Sequence, residues 1–204
     1  MSISADPVFA DKGIAMLEEQ TGLDHGLNLD AWYQEIWDKP PVEDPLYSEF
    51  KAFAYSYIDP SFKDYFDEQP RSTIRLDEVR WGGVQRDGIP PLDEPAMISA
   101  QEADYLDESN IVFGIEINGD ARAYPKRILA WHEMFKDTIG GVSVNGVYCT
   151  LCGSMILYDT EHDGQHHELG TSGFLYRSNK LMYDEKTFSL WSTMNGKPVI
   201  GPLV

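Results

Sequence analysis

Cysteine is scarce in this chain. Two among 204 residues exclude a disulfide scaffold. Basic residues are also few, with 16 Lys and Arg against 34 Asp and Glu and a net charge of −18. Nucleic-acid binding needs a basic surface, so no nucleic-acid partner is expected. No apolar run approaches the ~18 residues of a membrane span, so no transmembrane segment is expected. The first ten residues lack both a basic stretch and an apolar one, and no signal peptide is read there. There is no internal repeat and no low-complexity tract. Gly170-Thr171-Ser172-Gly173 lacks the lysine and the strand-to-helix setting of a phosphate loop. No Gly-x-Ser-x-Gly elbow and no EF-hand spacing occur.

What is present is enough for a core: 42% of residues are hydrophobic and 12% aromatic. The charge is uneven. Residues 1–110 hold 24 acids and 8 bases, whereas residues 111–204 hold 10 and 8. A solvated acidic surface that favours solubility explains this.

Apolar periodicity predicts helices over 8–20, capped by Asp6, over 29–37, capped by Asn28, and over 45–57, with a short fourth opened by Pro60. The stripe Leu46, Phe50, Phe53, Ala54 and Tyr57 is expected to face the core. Near Thr73 the pattern changes to alternation through Trp81, followed by a turn-rich connector over 86–96. Ser99 and Glu102 form a capping-box pattern for a short helix over 99–107.

From Ile111 the chain reads as short strands. Asn118-Gly119, Gly140-Gly141 and Asn195-Gly196 mark tight turns, and Pro125 opens a short helix through Trp131. The expected fold is α+β: an acidic helical segment over 1–72, then a β-rich sandwich or barrel-like domain with short helices over 73–204. The apolar run Val199-Ile200 reads as an unpaired edge, which suggests a domain cut short at its C-terminus.

The chemistry concentrates at Tyr148-Cys149-Thr150-Leu151-Cys152-Gly153-Ser154. Two sulfurs three residues apart can share a metal ion or form a disulfide. A zinc site wants four ligands, and there is no second cysteine pair. His132, at the end of a short helix, is the best third ligand or general base, with Trp131 and Tyr148 limiting water around it. Met182 adds a thioether. Thiolate, imidazole and thioether together suit copper, with zinc the other candidate. His162, His166 and His167 read as surface residues around a hairpin tip at Asp163-Gly164.

Several segments together resemble a known family. They are Ile74 to Val84, Asp87 to Leu92, Gly119 to Pro125, Trp131-His132-Glu133, Tyr148 to Cys152, Leu175-Tyr176, Leu181 to Asp184 and Ser189 to Ser192. The chain is similar over 73–204 to the prokaryotic family called domain of unknown function 3179. The resemblance brings no settled activity. It implies roles for Trp131, His132, Cys149, Cys152, Tyr176, Met182, Asp184 and Trp191, with Tyr148 and Ser154 as further pocket candidates. Many members are exported or membrane-associated, which implies an extracytoplasmic role. Thr150 stands where the family commonly has Pro, and the family's domain usually continues beyond Leu203.

Three readings stay open: a copper or zinc protein using Cys149, Cys152, His132 and Met182, a metal-free thiol–disulfide protein, and a binding module with structural cysteines. None names its small-molecule or protein partner.

Overall fold

The computed structural model describes residues 7–37, 39–41, 44–66, 70–162 and 164–204. The caps expected at Asp6 and the turn residue Asp163 lie outside them. Three helices come first: α1 (Pro7–Thr21), α2 (Leu29–Trp37) and α3 (Leu46–Ser56). Asn28 Oδ1 accepts the Ala31 N–H at 3.1 Å and so satisfies an orphan donor at the start of α2. Gly22, at φ +71°, ends α1 in the left-handed conformation.

The facing of α3 differs from expectation. Ala54 is buried as expected, but Leu46, Phe50, Phe53 and Tyr57 are exposed, and the helix also buries Ser48, Lys51, Ala52 and Tyr55. The reason lies in the next segment. A 3₁₀ turn over Pro60–Tyr65, capped by Asp59, presents Phe62, Tyr65 and Phe66. These rings and Tyr55 converge on Phe174, at centroid distances of 4.7–5.8 Å.

Phe174 belongs to a five-stranded sheet of β1 (Val79–Trp81), β10 (Leu169–Tyr176), β11 (Asn179–Asp184), β12 (Leu190–Ser192) and β13 (Lys197–Ile200), in that spatial order and antiparallel throughout. The aromatic cluster and the sheet residues Val79, Leu181, Leu190, Val199 and Ile200 form one core. Val199 and Ile200 are therefore not an unpaired edge. Both are buried, Ile200 bridges to Ser72, and the Thr73 N–H bonds Val199 O at 2.9 Å.

A four-stranded sheet runs β2 (Leu92–Asp93), β5 (Met134–Ile139), β6 (Val142–Cys149) and β7 (Ser154–Asp159), with β2 parallel to β5. The hairpin of β3 (Val112–Ile117) and β4 (Asp120–Pro125) turns at Asn118-Gly119, both at positive φ as a type I′ turn requires. It leads into α4 (Lys126–His132). Tyr124, Leu129, Phe135, Ile139, Val144 and Tyr148 make a second core here. A small hairpin pairs β8 (Glu161–His162) with β9 (Gln165–His166).

Met134 and Val147 of the four-stranded sheet join Leu169, Met182 and Trp191 of the five-stranded one in a third cluster. The molecule is thus mixed α+β and rich in strand, with its larger sheets in apolar contact. Two local readings shrink. The alternating run from Thr73 is strand only over Val79–Trp81, after a 3₁₀ turn at Leu76–Glu78. The helix expected over 99–107 is a single 3₁₀ turn, Ala100–Glu102. No helix among the described residues is long and apolar enough to cross a membrane.

Candidate functional site

Cys149 ends β6 and Cys152 lies in the turn to β7, so the β6–β7 hairpin fixes both sulfurs. Both thiols are free, Cys149 buried and Cys152 exposed. The turn closes with the Gly153 N–H on Cys149 O at 2.8 Å, and Gly153 takes the positive φ of +67° that this closure needs. Cys152 Sγ lies 3.0 Å from Ser154 Oγ and 3.3 Å from Asn179 Nδ2.

The two thiols differ in their protonation. Burial pushes the Cys149 thiol up, and a hydrogen bond with Cys152 adds to this. Burial works in the same direction on Cys152, but hydrogen bonds from Cys149 and Ser154 outweigh it and pull that thiol down. The thiolate form is thus favoured at the exposed sulfur and disfavoured at the buried one.

Behind Cys149 lies a feature that sequence reading did not find. Lys180, on β11, is buried and points Nζ at Glu133 Oε2, 3.2 Å away. Thr150 Oγ1 donates to Glu133 Oε1 at 2.7 Å, and the Tyr148 N–H donates to the Glu133 carbonyl at 2.8 Å. Glu133 ends α4 at φ +57°, a left-handed conformation that non-glycine residues adopt mainly where surrounding contacts impose it. Cys149, Thr150, Glu133, Lys180 and Thr171 line a cavity of about 140 Å³. The Thr171 hydroxyl there is buried with no hydrogen-bond partner among the described residues. The one available signal was a lysine inside an apolar strand, Lys180-Leu181-Met182-Tyr183.

The other expected site residues are spread out. His132 Nδ1 lies 2.9 Å from Pro90 O. Met182 is fully buried in the cluster between the sheets, where its sulfur accepts from Asn145 Nδ2 at 3.8 Å. Trp191 packs in the same cluster, with its ring 5.0 Å from His167. Trp131 is 82% exposed, so it does not limit water at the sulfurs, whereas Tyr148 is buried against Phe113. Burial raises the Tyr176 phenol, and the neighbouring Glu78 adds to this.

Asp184 organises the β11–β12 turn through Thr187 and His167. Burial would raise its carboxyl, but those bonds hold it below the usual range. Ser154 is the expected residue that does touch Cys152. Among the described residues, no group of three or more His, Cys, Asp and Glu is arranged to hold a metal ion.

A family described as "Protein of unknown function (DUF3179)" matches residues 86–204. The chain belongs to this family. Cys149, Cys152, Glu133 and Lys180 all fall inside the matched span. Neither the curated proteins nor the solved structures provide a match.

Proposed function

We propose that this member of the family is a thiol–disulfide protein whose dithiol is Cys149 and Cys152. The observation that carries the reading is the asymmetry of the pair: an exposed thiol pulled down beside a buried thiol pushed up. That division of labour suits disulfide exchange. The low-pKa sulfur attacks a partner disulfide, and its neighbour then resolves the mixed disulfide. Asn179 and Ser154 orient the attacking sulfur. The two larger sheets are read as the halves of a sandwich, with 1–72 as its helical cover and 73–204 as the part that carries the dithiol.

The test is a titration of thiols in glutathione redox buffers, counted by alkylation and mass. Cys149 and Cys152 are expected to disappear together as one intramolecular disulfide. In Cys149→Ser, Cys152 should accumulate as a mixed disulfide with glutathione. Thiols that never pair under oxidising buffer would leave the binding-module reading. Elemental analysis of anaerobically purified protein addresses the remaining one, since stoichiometric copper or zinc would replace redox exchange by metal binding.

A further inference from the structure

The buried ion pair behind the dithiol has no part in the reading above. Taking a lysine and a glutamate out of water costs several kcal/mol per ion, and apolar residues of similar volume would serve packing equally well. Here the pair is also anchored. Glu133 is held by Thr150 at its carboxylate and by Tyr148 at its carbonyl, the residues on either side of Cys149. Lys180 and Cys149 line the same small cavity. Burial pulls Lys180 down, and Glu133, Cys149 and Asp87 oppose that pull.

We propose that Lys180 is the charge partner of Cys149 in the resolving step of disulfide exchange, and that Glu133 and Thr150 are the positioning residues that hold it there. The inference rests on the dithiol reading. In the first step the Cys152 thiolate attacks a partner disulfide. A Cys152–partner bond forms, the partner's S–S bond breaks, and one partner thiolate leaves. In the second step the Cys149 sulfur attacks Cys152. The Cys149–Cys152 bond forms and the Cys152–partner bond breaks.

Two electrons pass from the dithiol to the partner disulfide, and the two thiol protons end on the released partner thiols. During the second step negative charge develops on a sulfur shut away from water. The Lys180 ammonium, kept charged against burial by its pair with Glu133, stabilises that charge across the shared cavity, and in a low-dielectric site the effect is large.

The experiment uses the full chain and the aromatic disulfide 5,5′-dithiobis(2-nitrobenzoate), which releases one coloured thiolate per step. Wild type should show a first release that scales with reagent concentration and a second that does not. Lys180→Met should slow the second release about tenfold and leave the first within about twofold. A merely structural lysine would alter both phases or neither. Thr150→Val, on an exposed side chain, removes only the hydroxyl that fixes Glu133, and should slow the second phase by about two- to threefold. It decides the matter if Lys180→Met does not fold.

Equal second phases in wild type and in the folded variant overturn the role of Lys180. A wild-type protein that releases a single thiolate overturns the dithiol reading itself, whatever the lysine does.

Discussion

Lys51 is a second lysine that this fold removes from water. Its ammonium donates to Val79 O at 2.7 Å and lies 5.0–5.7 Å from the ring centroids of Tyr47, Tyr55 and Phe66. Burial pulls it down to about 7, with Asp77 opposing and Arg80 assisting. An unfolded lysine titrates near 10.4. Between those values the unfolded chain binds a proton that the folded chain has released, so Lys51 makes stability rise with pH, by up to about 1.4 kcal/mol per pH unit. Below pH 7 both states are protonated and the slope vanishes. Lys51→Met is therefore expected to flatten the dependence of unfolding free energy on pH between 7 and 10. Urea titrations across that range check it, and a slope equal to wild type would refute it.

Legibility at this scale was partial. Cys149 and Cys152 announced themselves by spacing. Glu133 and Lys180 did not, because they are 47 residues apart and meet only after β6 and β11 are in place.

At the scale of elements, β6 was readable because Val142, Val144, Val147 and Tyr148 outweigh Asn145 and Gly146 inside it. The strand β10 was not. Gly170 and Gly173 interrupt its strand-forming residues in the sequence, yet one strand runs through both. The glycines are there for close approach. A Cβ on Gly173 would lie 2.6 Å from Val84 O, and the residue sits at φ +84° within a register shift between Thr171 and Leu175. This bulge leaves Ser172 to bridge, its hydroxyl donating to Leu181 O and accepting from the Phe174 N–H.

Gly173→Ala is expected to cost roughly 2–3 kcal/mol by steric and backbone strain, read as a lowered urea midpoint. In β5, Lys136 and Asp137 interrupt the apolar pattern by which a strand is recognised. Asp137 is buried only because Arg122 Nη1, 2.6 Å away, and Tyr124 OH, also 2.6 Å away, satisfy it. On α3, periodicity revealed the helix but not its facing, which the aromatic cluster around Phe174 decides.

Across the whole molecule, the helical part and the five-stranded sheet share a core. A fragment of residues 73–204 is accordingly expected to expose Phe174 and Leu181 and to self-associate. A monomeric, cooperatively folded fragment in size-exclusion and thermal experiments would contradict this. The net charge of −18 adds self-repulsion to the compact state. Raising salt from 0.05 to 0.5 M should raise the thermal midpoint, and an unchanged midpoint would mean that the acidic surface is already dispersed.

The placement of Phe174 also sets a schedule for biosynthesis. Tyr55, Phe62, Tyr65 and Phe66 leave the ribosome roughly a hundred residues before the ring that covers them, an interval of about 5–20 s at ordinary translation rates. For that time the nascent chain carries four bare aromatic side chains, and a chaperone that shields them is most useful before Phe174 emerges.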